Sequence, residues 1–238
     1  MKREPATGAA RFDPSSRSLL THRDLGRFPS ASLFDRIGRV LCEAGCLPRK
    51  ELFESWEFAR RTRRRFRGGR VVDLACGHGL VGQLMLLLDD SSPSVLAVDR
   101  VLPPSANTVA HALEVAWPRL SGRVSRVQAA LNEVAVTADD LVVSCHACGA
   151  LTDVVLARAI EVRARVVVLP CCHDAATCDV GELGGWLDEA LAIDVTRAAR
   201  LRASGYRVVT QIIPASITPK NRLLMAEPRM TPASPSES

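Results

Sequence analysis

Aromatic residues are scarce in this sequence. Phe, Trp and Tyr make up 4% of the 238 residues, and tyrosine occurs once, as Tyr206. Proteins that bind single-stranded nucleic acid without sequence preference stack bases on aromatic side chains, so we do not expect an extended base-stacking platform. No apolar run reaches the roughly 18 residues that a membrane-spanning helix needs, so no membrane contact is expected.

The N-terminus also lacks the apolar h-region of a secretory signal. It could pass as an arginine-containing transit sequence, but Glu4 and Asp13 speak against that interpretation. We therefore expect a cytoplasmic protein, in which the eight cysteines are reduced core thiols or ligands rather than a disulfide framework. The oligomeric state is left open.

What the sequence does contain is enough apolar material for one full α/β domain and a short extension. Hydrophobic residues make up 47% of the chain, and the net charge of +5 permits a polyanionic substrate without requiring one. Composition predicts disordered tails over residues 1–20 and 229–238. Helical spacing of apolar residues predicts a helical cap over residues 21–67, ahead of a main domain over 68–228.

The most informative stretch is RVVDLACGHGLVG, residues 70–82. An apolar run stops at Cys76, glycines follow at 77 and 79, and an apolar helical pattern begins at Leu80. This order predicts a buried strand, a tight turn and the start of a helix. Because glycine removes Cβ and the helix start offers free N–H groups, the turn suits a nucleotide-like ligand.

Two cofactor classes use such a turn. Gly77, Gly79 and Gly82 satisfy the G-x-G-x-x-G pattern of dinucleotide sites, but a lone match is weak evidence. Asp73, inside the strand end, would repel a pyrophosphate and suits a ligand that carries a cationic amino group. Asp99, at the end of the second predicted strand, stands where both classes bind ribose hydroxyls; the alternative is that it caps a turn.

The string D-L-A-C-G-H-G, residues 73–79, resembles the first motif of class I S-adenosylmethionine (AdoMet) methyltransferases. The resemblance implies a Rossmann-like α/β sheet of strand order 3-2-1-4-5-7-6, and it implies that Asp73 lies near the methionine amino group. The expected cofactor-binding residues are Asp73, Ala75, Cys76, Gly77, Gly79, Asp99 and Ser144.

Two further stretches, LVVSCHACGALTD (141–153) and VVVLPCCHDAATCD (166–179), each place Cys and His directly after an apolar strand. If the two strands are neighbours, these side chains converge at the carboxyl ends of the strands, where ligands of open α/β sheets bind. His146 or His173, helped by Asp153 or Asp174, could take a proton from an acceptor. Alternatively, the cysteines and His173 could bind zinc, which we do not favour because the second half lacks C-x-x-C spacing.

These strings also resemble a methyltransferase subgroup with H-x-C-G-x-x-T-D and C-C-H motifs, which includes eukaryotic tRNA acceptor-stem 2′-O-methyltransferases. The resemblance covers residues 70–227, although the zinc-finger cysteines of those tRNA enzymes are missing here. It implies an acceptor site that contains His146, Cys148, Gly149, Thr152, Asp153, Cys171, Cys172 and His173. Asp174 and Asn221 complete the set of expected substrate and catalytic residues.

A basic block ends the second cap helix, with Arg60, Arg61, Arg63, Arg64, Arg65 and Arg67 as its members. It is either a solvated helix face or a phosphate-contacting surface for RNA, because arginine forks bind phosphate in bidentate fashion. We expect the block to lie close to the cofactor turn.

The final segments, Tyr206–Ile213 and Arg222–Ala226, are strands without a helix between them, so they must pair antiparallel. Our hypothesis is an AdoMet-dependent methyltransferase that acts on RNA. The alternatives are a methyltransferase of a small molecule or protein side chain, and a non-catalytic AdoMet- or metal-binding partner protein. A nicotinamide oxidoreductase is disfavoured by Asp73 and by the final hairpin.

Overall fold

The fold is built on one mixed β-sheet, seen in a computed structural model that describes residues 12–145 and 147–229. In this part of the chain seven strands are ordered β3-β2-β1-β4-β5-β7-β6, as predicted. The strands are β1 (Val71–Leu74), β2 (Val95–Asp99), β3 (Val124–Gln128), β4 (Leu141–Ser144), β5 (Arg165–Val168), β6 (Tyr206–Ile212) and β7 (Arg222–Pro228).

The first five strands are parallel, and β7 runs antiparallel to both β5 and β6. The reversal follows from the connection, because only the loop 213–221 joins β6 to β7 and a parallel pair needs a longer crossover. The strands β1 and β4 are buried along their whole length. Their apolar residues therefore face helices on both sides of the sheet.

In the described residues four α-helices connect the strands: α3 (Leu80–Leu88), α4 (Ser105–Ala116), α5 (Ala150–Val162) and α6 (Glu189–Ala203). The carboxyl ends of β1, β2, β4, β5 and β6 lie at one edge, which we call the carboxyl edge; the opposite side is the amino edge. In residues 12–145 and 147–229, no helix has both the length and the apolar character required to cross a bilayer.

The cap consists of α1 (Leu33–Ala44) and α2 (Arg49–Arg65), which precede the sheet. All six phenylalanines of the chain lie between residues 12 and 66. Several of them pack together: the ring of Phe34 lies 5.2 Å from that of Phe53 and 5.8 Å from that of Phe28. These phenylalanines therefore build the junction of the cap and not a ligand-stacking surface.

The chain is ordered against this cap earlier than the composition suggested. Leu20 is fully buried, Leu19 bridges to Pro48, and the ring of Phe12 lies 6.0 Å from that of Phe28. A disordered tail was expected over residues 1–20, but the segment from residue 12 onward is packed against the cap. The reason is that the apolar side chains among its Ser and Arg residues find partners there. Residues 1–11 and 230–238 lie outside the described residues.

Candidate active site

The turn after β1 has the backbone of a ligand-binding loop. Ala75, Gly77 and Gly79 all have positive φ, at 55°, 54° and 68°. A positive φ is strained for alanine, so Ala75 holds its conformation because the surrounding turn imposes it. The turn leads directly into α3, and the first backbone N–H groups of this helix face the carboxyl edge of the sheet.

Gly82 has a different role from the two turn glycines. A Cβ atom on Gly82 would lie 2.4 Å from Cγ1 of Val95 in β2. A side chain there would force α3 away from the sheet, whereas a Cβ on Gly79 would meet only Ala97 at an ordinary 3.6 Å. The third glycine of the pattern therefore serves helix–sheet packing.

Asp73 is buried at the carboxyl end of β1, with 1% of the residue exposed. Its Oδ2 accepts a hydrogen bond from the N–H of Gly82 at 3.2 Å, whereas Oδ1 is buried without a partner. Burial raises the pKa of the Asp73 carboxyl to about 7, partly offset by the Gly82 N–H and reinforced by Asp99. One half of the carboxylate thus caps α3, and the other half is free for a cationic group.

Asp99 ends β2 beside the same turn. Its Oδ2 accepts a hydrogen bond from the N–H of Gly77 at 2.9 Å. This bond holds the first turn glycine against the end of β2, as expected for two neighbouring parallel strands. A carboxylate has about four acceptor positions, so Asp99 can still accept from hydroxyl groups of a ligand.

His78 is a residue of this site that the sequence analysis missed. Its Nδ1 lies 2.8 Å from Oε1 of Glu51 in α2, and its Nε2 lies 2.9 Å from Oγ of Ser105 in α4. His78 therefore joins the cap, the turn and α4. Its position inside the glycine turn was a signal for it, but no pattern in the sequence pointed to Glu51 or Ser105.

Three cysteines meet where β4 and β5 end. The Sγ of Cys148 lies 2.8 Å from that of Cys171 and 3.4 Å from that of Cys172, and the Sγ atoms of Cys171 and Cys172 are 3.8 Å apart. Burial, and then the neighbouring thiols, raise the pKa of Cys171. Cys145, by contrast, is buried in the core, and Cys178 lies 3.5 Å from the guanidinium of Arg197.

His173 lies beside this cysteine cluster but its partner is not the predicted one. Its Nε2 lies 2.9 Å from Oδ1 of Asp194 in α6, and its Nδ1 is buried without a partner. Burial raises the pKa of Asp194, but hydrogen bonds from His173 and Arg222 outweigh this and leave it below its ordinary value. Only 3% of the His173 side chain is exposed, so the ring is almost completely shielded from solvent. His146, the other predicted base, lies outside the described residues.

Asp153 and Asp174 do not contact His173 in the way expected. The carboxylate of Asp153 makes a two-pronged ion pair with Arg197, at 3.0 and 2.7 Å. Asp174 accepts from the N–H of Ala176 and the hydroxyl of Thr177 and shapes its own loop. Neither carboxylate is therefore the partner of His173, because each is used by a nearer donor.

The remaining predicted residues have local partners or none. Asn221 donates its side-chain amide to the carbonyl of Ile213 and so closes the β6–β7 loop. The hydroxyl of Thr152 donates to the carbonyl of Ala147, and the N–H of Gly149 to the carbonyl of Cys172. Ser144 is buried at the end of β4, and its Oγ has no partner.

The sequence pattern of a protein family described as a methyltransferase domain matches residues 52–179, which is more than half of the chain and includes the turn, Asp99 and the cysteine cluster. The chain belongs to this methyltransferase family. The matched segment begins inside α2, at residue 52. Most of this cap helix therefore belongs to the family pattern, and Glu51 lies one residue before it.

Solved structures of other proteins resemble this methyltransferase at low sequence identity. A candidate O-methyltransferase of Nostoc punctiforme has a TM-score of 0.51 at 13% identity, over 86% of this chain and 67% of that one. An O-methyltransferase family protein of Burkholderia thailandensis has a TM-score of 0.46 at 16% identity, over 87% and 67%. The B. subtilis tRNA methyltransferase TrmK (M1A22) has 0.48 at 15% identity, over 73% and 66%.

The methyltransferase spans about two-thirds of the length of each of these three proteins. At such identities the likeness concerns the fold alone. Among curated proteins, none matches the sequence.

The basic block of the methyltransferase is not the free surface that the sequence suggested. Arg63 is 4% exposed and donates to the carbonyl of Met85 and the hydroxyl of Ser92. Burial lowers the pKa of its guanidinium to about 10. Arg63 therefore cannot contact RNA, and its assignment to an RNA surface is wrong.

Most other members of the block are held in ion pairs. Arg60 and Arg61 both bind the carboxylate of Glu57, and Arg65 binds Glu227 at the end of β7. Arg67 pairs with Asp89, although 75% of its side chain is exposed. Arg64 is exposed.

The block also lies at the other end of the sheet from the cofactor turn. Because α2 rises about 1.5 Å per residue, the fourteen positions from Glu51 to Arg65 span roughly 21 Å. Glu51 contacts His78 at the carboxyl edge, whereas Arg65 contacts the end of the antiparallel strand β7, at the amino edge. The expectation that the block lies close to the turn is therefore wrong, because α2 runs the whole depth of the sheet.

A cavity of about 550 Å³ opens beside the His173–Asp194 pair. It lies between α6 and the β6–β7 hairpin, and its walls include Val195, Ala198, Ile212 and Leu224, with Asp194 and Arg222 as charged members. Cavities of this size hold small organic ligands. The sequence analysis did not foresee it, because helix and hairpin are distant from the Cys/His strings in the chain.

Proposed function

We propose that this chain is an AdoMet-dependent methyltransferase that binds its cofactor at the turn after β1 and its acceptor at the carboxyl edge. The observation that carries the proposal is that only one of the two carboxylate oxygens of Asp73 has a hydrogen-bond partner. A buried oxygen without a partner costs about 1–3 kcal/mol, so Oδ1 of Asp73 points to a ligand group that completes it. The α-ammonium group of AdoMet is such a group.

The rest of the turn fits the same cofactor. The strained, open backbone at Ala75, Gly77 and Gly79 lets a ligand approach the main chain closely. Asp99 stands at the end of β2 with acceptor positions left for ribose hydroxyls. Bound there, AdoMet would supply a methyl group on a sulfonium, which a nucleophilic acceptor atom attacks.

The protein's own contribution is mainly positional. Holding acceptor and cofactor in line can supply much of the acceleration of a methyl transfer, so a general base is helpful and not essential. His173 is held in place by Asp194 and leaves its Nδ1 without a partner, so it is our first candidate for the base. His146, two residues after the end of β4 in the sequence, remains our second candidate for the base.

Calorimetric titration with AdoMet and with NAD tests this proposal. We expect binding of AdoMet alone, and a loss of roughly 30-fold or more in affinity in Asp73→Ala, since truncating one partner of a buried charge pair costs about 2 kcal/mol or more. Asp90→Ala, which removes an exposed carboxylate after α3, is the matched control and should bind normally. Binding of NAD but not AdoMet would contradict the proposal.

RNA is the acceptor that we propose from the sequence. The structure sets the size of such an RNA, because the arginine block and the turn are far apart. Arg64 and Arg67, the exposed members of the block, lie at the amino edge, roughly 20 Å from the turn. An acceptor that uses both regions must therefore be a folded RNA that reaches along the cap, and not a single nucleotide. Reversing both charges (Arg64→Glu with Arg67→Glu) should weaken binding of such an RNA and reduce its salt dependence.

A small-molecule acceptor is the second candidate, and the cavity lined by Asp194 favours it. Its apolar walls suit a partly apolar molecule better than a phosphate chain. Val195→Trp would fill the cavity from the exposed side of α6. If the acceptor binds there, this variant loses turnover while AdoMet binding is unchanged; if the acceptor is RNA, the arginine variants lose turnover instead.

A further inference from the structure

We propose that Cys148, Cys171 and Cys172 form a three-thiolate binding site for a soft divalent metal ion, and that zinc is the ion it takes. This site is independent of the AdoMet turn and goes beyond the proposed methyl transfer. It rests on where the fold places the three sulfur atoms.

The three sulfur atoms already have nearly the spacing of zinc ligands. Zn–S bonds of about 2.3 Å in a tetrahedron put sulfur atoms roughly 3.8 Å apart. Cys171 and Cys172 are at 3.8 Å and Cys172 and Cys148 at 3.4 Å, so only the Cys148–Cys171 pair, at 2.8 Å, must open by about 1 Å. All three ligand atoms lie within 4.8 Å of one another.

Two loops that are far apart in sequence supply the ligands. Cys148 follows β4, whereas Cys171 and Cys172 follow β5, the parallel neighbour of β4. The N–H of Gly149 donates to the carbonyl of Cys172 at 3.3 Å and ties the two loops together next to the sulfur atoms. A site held on both sides in this way keeps its ligands together before the metal arrives.

Packing does not explain the cluster. Small thiols commonly fill tight places in a core, as Cys42 and Cys145 do here, both of them buried. Cys148 and Cys172 are exposed and Cys171 is partly exposed. Grouped thiols at a surface that an ion can reach are better suited to binding than to packing.

The zinc pattern considered from sequence was larger than the one the fold assembles. Cys145 is buried in the hydrophobic core, and Cys178 lies against the guanidinium of Arg197. In the described residues three ligands therefore converge, which is the number that proteins supply to a catalytic zinc with an open position. Each thiol that becomes a ligand releases its proton to solvent, and the open position can take water or an atom of the acceptor.

Metal binding is tested on the full chain, purified under reducing conditions, stripped with a chelator and titrated with zinc and with cobalt(II), without AdoMet. We expect equimolar zinc by elemental analysis, and a thiolate-to-cobalt charge-transfer band with the visible absorption of a tetrahedral ion. Cys148→Ser and Cys172→Ser should each weaken zinc binding by more than about 10-fold, since even residues that only support a ligand contribute that much.

Cys46→Ser is the matched control, because Cys46 is a partly exposed thiol in the cap, outside the cluster. It should bind zinc as the parent does, and circular dichroism should show all variants folded. Absence of equimolar metal in the parent overturns the proposal, as does a Cys148–Cys171 disulfide that persists under the same reducing conditions. Because AdoMet is left out, either result leaves the methyltransferase proposal standing.

Discussion

Glu51 and His78 join the cap to the cofactor turn, with Oε1 of the carboxylate 2.8 Å from Nδ1 of the imidazole. Glu51 lies in the first turn of α2, and His78 lies between the two turn glycines. Both side chains are largely shielded from solvent, at 13% and 14% exposed. The cap is thus a wall of the proposed cofactor site and not a separate appendage.

Glu51→Ala should loosen this wall. The loss of a shielded hydrogen bond is expected to reduce the free energy of unfolding by about 1–2 kcal/mol, and a more mobile turn should bind AdoMet more weakly. Chemical denaturation and calorimetry measure the two effects. Glu43→Ala, at an exposed glutamate of α1, is the control. Unchanged stability and affinity in Glu51→Ala would show that the contact is incidental.

Asp73 should make stability fall as pH rises. Its carboxyl has an ordinary pKa of 3.8 when unfolded and about 7 when buried in the fold. Between these values the folded state binds more protons than the unfolded state, so the contribution of Asp73 becomes unfavourable as pH rises and stays so above about 7. Asp73→Asn should therefore be more stable than the parent at pH 8, by up to about 4 kcal/mol, with no such gain near pH 4. Denaturation curves at both values decide this.

The affinity for AdoMet should also depend on the ionisation of Asp73, but it should rise with pH where stability falls. The ammonium group of the ligand needs an ionised carboxylate, so affinity should rise as pH increases through about 7. An α-amino group loses its proton near pH 8, which should limit the rise there. Calorimetry from pH 6 to 9 should show this maximum in the parent and not in Asp73→Asn. A flat profile in the parent would mean that Asp73 serves only to cap α3.

The Asp153–Arg197 pair should prove structural. Arg197 is 2% exposed and also donates to the carbonyl of Gly149, so it links α6 to the start of α5. Removing one partner of a buried pair costs about 3–5 kcal/mol, and partial exposure of Asp153 lowers our expectation to about 2–3 kcal/mol for Asp153→Asn. The pH profile of turnover should keep its shape in this variant. A full loss of turnover at unchanged stability would restore Asp153 as a catalytic residue.

Gly82→Ala should destabilise the fold through a single clash. The added methyl would lie 2.4 Å from Cγ1 of Val95, a β-branched side chain buried under α3. Overpacking of this kind costs about 1–3 kcal/mol. Gly26→Ala, where a Cβ would meet nothing within 4 Å, is the control. Because the cause is one side chain, Val95→Ala in the same chain should recover part of the lost stability.

Local patterns were enough to predict most of the fold. A helix begins at Leu80, as predicted. The lack of a helical pattern between the last two strands correctly predicted their antiparallel pairing. The strand order was confirmed, but it came from the resemblance carried by Asp73 and the turn glycines, since strand order is a long-range property.

The sequence by itself determined the strand, turn and helix around residues 70–88, the acidic residue in the strand end, and the family to which the chain belongs, because all of these are written in neighbouring residues. Only the tertiary structure decided the partners of the charged groups. Asp194 and not Asp153 holds His173, Arg63 is buried, and the arginine block stands at the amino edge. The physical reason is that a buried charge pairs with the nearest donor in space, and that donor lies on an element whose position depends on the packing of the whole sheet.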